Sequence, residues 1–151
     1  MKSTDTTNKT TSETCNALLR GELSAIETYT QAIEKIADHT GDFPLERIRA
    51  DHESSAVSLR EIIGDSGDEP ATSSGPWGTF ATAAEGVAKL FGESPALIML
   101  QHGEIHGISE YEEALEDEEL DESVKDLIRR ELLPSLRDHL VELERCKSEV
   151  S

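Results

Sequence analysis

Residues 21–34 read GELSAIETYTQAIE, and residues 103–116 read GEIHGISEYEEALE. With Gly21 set on Gly103, the segments share Gly-Glu-aliphatic, then Ile, Tyr, Ala, an aliphatic residue and Glu at matching positions. In both, the apolar residues recur by steps of three and four, the spacing that lines one face of an α-helix. Asp51-His52 and Asp138-His139 add a second matched pair further along each half. The pattern reads as two helical hairpins descended from one unit.

Working outward from Glu22, the series Cys15, Leu19, Glu22, Ile26, Tyr29, Ile33, Ile36 forms one seam, so a first helix is expected over roughly 12–38. Thr10 and Glu13 have the spacing of a capping box before it, and Gly41 follows it. A second helix starts after Asp42, tolerates Pro44 in its first turn, carries the seam Leu45, Ile48, His52, Ser55, Leu59, Ile62, and stops at Gly64. Residues 65–78, DSGDEPATSSGPWG, form a Gly/Pro/Ser loop, and a short helix is expected over roughly 79–91. Ser94 and Pro95 open a third long helix to about Glu116, and Asp121 opens a fourth to about Lys147.

Short turns join helices one to two and three to four, so each pair should be an antiparallel hairpin. The long link between them can traverse the whole bundle. The expected fold is therefore all-α: a four-helix bundle at 12–148 with a crossover containing a short extra helix, preceded by a disordered polar tail at 1–11.

The chain has 151 residues, 14 Lys plus Arg against 32 Asp plus Glu, and a net charge of −18. One domain of ~100–200 residues is the expectation. The negative field repels phosphates and anionic lipid, which argues against nucleic-acid or membrane partners. Solubility accounts for such a charge; attraction of metal cations is the sharper alternative. The longest apolar run, Ala96 to Leu100, is far short of the ~18–20 residues of a membrane span. No apolar stretch of a secretory leader occurs in the first fourteen residues, so a cytoplasmic location is expected. Cys15 and Cys146 stand far apart with no Cys-x-x-Cys, against a thiolate metal site.

Glu22 and Glu104 occupy equivalent places on seams otherwise filled by Leu, Ile and Tyr. A buried carboxylate needs a cation, a proton or a metal ion, and no Lys or Arg lies on those two seams. His52 and His139 also face inward, and Glu142 lies one turn beyond His139. Two Glu and two His suit iron, manganese or zinc, although each His taken alone is equally well explained as a core residue bonded to a carbonyl or to its neighbouring Asp. His102 and His106 lie off the seam. If the first turn centres on Gly41, Glu22 and His52 differ in depth by ~12 Å at ~1.5 Å per residue, and Glu27 fits His52 better. Glu104 and His139 differ by only ~7–8 Å on the same reckoning.

On these residues, and on Glu22 with Tyr29, Glu104 with Tyr111, and the SSGPWG stretch at 73–78, the chain resembles the ferritin-like superfamily over about 12–147. It is most similar to rubrerythrin-like proteins and to uncharacterised bacterial families of short stand-alone bundles. The resemblance implies a ferritin-like bundle, iron as cofactor in a di-iron or mononuclear site, Glu22 and Glu104 as ligands, and reaction of bound iron with oxygen or peroxide in stress protection. Around the ligand candidates Glu22, Glu27, His52, Glu104, His139 and Glu142, the supporting residues are Tyr29, Tyr111, Asp51 and Asp138. The sequence departs from the superfamily's Glu-x-x-His pattern: Arg49 and Leu136 stand three residues before the two histidines. Asp51 and Asp138 lie ~100° round the helix from the histidines and replace those glutamates only in a distorted helix, which Pro134 would favour. The alternative function is a metal-free structural or interaction bundle. Whether the chain is an enzyme, and whether it self-assembles, stay open.

Overall fold

The computed structural model describes residues 2–40, 44–74 and 93–150, with side chains described over 11–34, 44–74 and 95–149. Four helical rods account for it: α1 (Lys2–Thr40), α2 (Pro44–Asp65), α3 (Glu93–Glu116), and a last rod made of α4 (Glu122–Leu127), a π-turn (Ile128–Leu132) and α5 (Leu133–Val150). No strand occurs among the described residues. The expected short helix at 79–91, and the Gly75–Gly78 part of the SSGPWG stretch, lie outside them.

Contacts fix the directions. Arg49 reaches Thr30 and His52 reaches Glu22, so α1 and α2 run antiparallel. Gln101 pairs with Glu144 and Arg137 with Glu112, so α3 and α5 do too. Tyr29 with Glu104 and Tyr111 with Glu22 set α1 antiparallel to α3. Hence α2 and α3 point the same way, and the described part of the link after α2 turns back along α1. Asn16 binds Glu69 and Ala71 through their backbone, and Ser74 then reaches Glu27, higher on α1.

The helix ends differ from the simplest reading in informative ways. α1 begins at Lys2, within the stretch expected to be a disordered tail and upstream of the expected Thr10–Glu13 box. Thr11 is buried, and its hydroxyl accepts the Asp121 N–H at 3.2 Å, so this turn is held by the start of the last rod. α2 passes through Gly64 and is closed by Gly67, whose φ of 84° lets Gly67 N–H return to Gly64 O and Asp68 N–H to Ile63 O. That is a Schellman closure, which requires a left-handed residue that glycine supplies without a Cβ clash. Asp121 caps the last rod by accepting from Ser123 N–H. Just before Pro134 the rod widens, with Leu133 N–H reaching Ile128 O five residues back. Proline has no N–H and its ring crowds the preceding turn, and the π-turn absorbs that misfit.

The core is divided. One cluster, including Leu19, Leu59, Ile63, Val124 and Ile128, fills the end where α2 finishes, and a second, including Ile48, Leu97, Leu100 and Leu143, fills the end where α2 begins. Between them lies a layer of buried polar side chains.

Candidate metal centre

That layer is built from one residue of each rod. Glu22 of α1, His52 of α2, Glu104 of α3 and His139 of α5 are 4, 4, 3 and 2 % exposed. Glu22, His52 and Glu104 reach the interior because their seams repeat at the helical period. His139 lies below the π-turn, which adds an extra residue to the rod above it.

His52 bridges the two halves. Its Nδ1 lies 2.6 Å from Glu22 Oε2 and its Nε2 2.9 Å from Glu104 Oε2. Glu104 Oε1 lies 3.1 Å from His139 Nδ1, whose Nε2 is 2.9 Å from Asp51 Oδ2 and 3.3 Å from Ser135 Oγ. Two phenols complete the set: Tyr29 donates to Glu104 Oε2 at 2.6 Å, and Tyr111 to Glu22 Oε1 at 2.7 Å. The Tyr29 ring stacks on His52 at 5.5 Å, and the two imidazoles sit 4.8 Å apart.

Charge state follows from this packing. Burial works to depress the His52 pKa, but the Glu22 and Glu104 carboxylates and their hydrogen bonds outweigh it and hold the ring up at about 10. Burial likewise works to raise Glu104, yet the His52 charge and bonds from both histidines bring it down to about 2. Burial, reinforced by the adjacent carboxylates, keeps Tyr29 and Tyr111 well above the usual phenol range, so both remain donors. One imidazolium thus lies between two carboxylates.

Two openings flank it. A cavity of about 40 Å³ between α1 and α3 touches Glu22, Tyr29, His52, Glu104 and Tyr111. That is room for a few water-sized molecules. On the far side a polar groove of about 300 Å³ between α2 and α5 exposes Asp51 and Asp138 beside His139.

Of the residues singled out from sequence, Glu22, His52, Glu104, His139, Tyr29, Tyr111 and Asp51 are brought together. Glu27 is not: it is exposed and accepts from Ser74 of the crossover at 3.1 Å. The depth argument that favoured it over Glu22 fails because depth does not fix facing. The Arg49–Thr30 contact, carried along the antiparallel pair, sets Glu27 about level with His52, but Glu27 lies five residues, ~140° round the helix, from Glu22 and so points away from the layer. Glu142 is also elsewhere, paired with Arg47 and Arg145 at 3.2 Å each. Asp138 is exposed and takes no part in the bonded layer, while His102 and His106 face outward. Sequence reasoning missed Ser135, although its place four residues before His139 puts it on the same face.

His52, Glu104 and His139 each offer one donor atom, all within 4.8 Å of one another, which makes the group able to hold a metal ion. Residues 10–117 of the chain match a domain family of unknown function, DUF2383, and the chain belongs to that family. The match covers α1 to α3 with Glu22, His52 and Glu104, and ends before His139. No curated protein and no solved structure matches the chain.

Proposed function

We propose that this protein is a ferritin-like bundle that binds a divalent transition-metal ion, iron or manganese, at His52, Glu104 and His139. The observation that carries the reading is the convergence of two imidazoles and a carboxylate within 4.8 Å in the buried middle of the molecule. Two nitrogens and an oxygen donor suit a borderline cation, whose binding would displace the protons these groups carry. The up-down-down-up helix directions and the crossover climbing α1 support the ferritin-like assignment. A bound redox metal would supply Lewis-acid or electron-transfer chemistry toward a small oxidant such as oxygen or peroxide. This chain's own residues would hold the ion, hydrogen-bond its carboxylate through Tyr29, and exclude bulk water with the two apolar clusters.

A second reading has one observation in its favour. The layer satisfies itself without metal, because the His52 imidazolium neutralises part of the charge of Glu22 and Glu104. In that case the network is a structural device that fixes helix register in a metal-free bundle. Metal analysis of protein purified without chelator, followed by anaerobic Fe(II) titration, separates them. Binding that disappears in His139→Ala supports the metal centre. An absence of binding by the unmodified chain supports the structural bundle.

A further inference from the structure

We infer that the centre takes one ion, on His52 Nε2, His139 Nδ1 and Glu104, and that Glu22 and Asp51 are positioning residues that orient the two histidines without ligating. The inference rests on the metal-binding reading above and specifies its ligand set.

Each imidazole presents one nitrogen inward and one outward. The inward pair, His52 Nε2 and His139 Nδ1, converge on the two oxygens of Glu104 at 2.9 and 3.1 Å. Two donors bound at ~2.1 Å and at near right angles to a shared ion stand ~3 Å apart, so these contacts already have the spacing of a coordination edge. A histidine that ligates through one nitrogen carries its proton on the other and donates it to an acceptor, most often a carboxylate or carbonyl. Both outward nitrogens meet that requirement: His52 Nδ1 on Glu22 at 2.6 Å, His139 Nε2 on Asp51 at 2.9 Å. The Glu104 carboxylate is held in turn by Tyr29.

A second ion beside Glu22 lacks donors. Among the described residues its imidazole is His52 Nδ1 alone, and Glu22 Oε1 is already bonded to Tyr111. Among the described residues, the group that His, Cys, Asp and Glu side chains form is His52, Glu104 and His139, without Glu22. The positions that would supply bridging carboxylates carry Arg49, which binds Thr30, and Leu136, buried against Gly107. Asp51 comes from the helix that carries His52 and serves the histidine of the other hairpin, so the two halves are tied together at the ligands.

The test is titration of the chelator-stripped full chain with Co²⁺, read by ligand-field absorption and by bound metal per chain. One equivalent is expected. Asp51→Leu should keep that stoichiometry and weaken binding ~10–100-fold, with Asp51→Asn, which still accepts the His139 proton, recovering most of the loss. Glu22→Gln should keep both the stoichiometry and the absorption spectrum, whereas Glu104→Gln should alter the spectrum and lose most of the affinity. Two equivalents, a Glu22→Gln spectrum that shifts, or an Asp51→Leu variant that binds like the parent each overturn the inference while leaving the metal reading intact. A parent chain that takes up no Co²⁺ overturns both.

Discussion

The Tyr29 hydroxyl of α1 donates a 2.6 Å hydrogen bond to Glu104 of α3, and the reverse bond runs from Tyr111 of α3 to Glu22 of α1 at 2.7 Å. Each helix therefore supplies the phenol that holds the other's buried carboxylate. The two bonds lie seven residues apart on both helices, two helical turns, and clamp α1 to α3 above and below the layer.

Removing one clamp should be costly because the acceptor is ionised. Tyr29→Phe is expected to destabilise the metal-free protein by ~1.5–3 kcal/mol, the range for hydrogen bonds to charged groups. Tyr111→Phe should behave alike. The double variant should depart from the sum, since both bonds belong to one network. Urea unfolding of the four proteins, with the slope checked for constancy, measures this.

If Glu104 were merely a stray buried charge, Glu104→Leu would stabilise the chain. The structure gives Glu104 three partners, Tyr29, His52 and His139. Leucine would leave all three buried and unmatched, including the His52 charge. A loss of ~3–5 kcal/mol is expected, the cost of breaking a buried pair from one side. A melting temperature equal to or above the parent's would contradict the network described here.

Stability of the metal-free protein should vary with pH in a defined direction. His52 is raised from 6.5 to about 10 in the folded state, so its contribution is complete below pH 6.5 and is lost as pH climbs toward 10. Glu104 is lowered from 4.5 to about 2, so its contribution is complete above pH 4.5 and is lost as pH falls toward 2. The melting temperature should therefore peak between pH 4.5 and 6.5 and decline on the alkaline side. The alkaline decline should shrink in Glu104→Gln, where His52 has lost one of its two carboxylates.

The two glycines at the end of α2 should respond oppositely to alanine. A Cβ at Gly64 meets nothing within 4 Å, and Gly64 lies inside the helix, so Gly64→Ala should stabilise by ~0.5–1 kcal/mol. Gly67 has a φ of 84°, and Gly67→Ala should destabilise by ~1–2 kcal/mol. Thermal melts of both variants at one pH decide the matter.

Much of the architecture was legible in the chain because helical period is a local property. Leu19, Glu22 and Tyr29 on one seam, and Leu45, Ile48 and His52 on another, are buried as that period requires. What failed was judging a neighbour by its depth along the axis alone. Counting from Gly41 placed Glu27 near the depth of His52, but Glu27 lies ~140° round α1 from Glu22 and is exposed, so Glu22 makes the contact. Glu142 looked equivalent to a ligand because it lies on the His139 face, but Arg47 from another helix captures it. Asp51 and Asp138 are alike in sequence, each preceding a histidine, yet only Asp51 finds one to bind.

The sequence by itself determined that this is a helical protein with two carboxylates and two histidines on inward faces, because spacing of three and four residues depends only on the geometry of one helix. Which of those groups touch, that His52 bridges Glu22 and Glu104, and that Asp51 serves His139, was decided only by the tertiary structure. The rotation and register of packed helices are set jointly by side-chain contacts from all four rods, so no single helix specifies which inward groups meet.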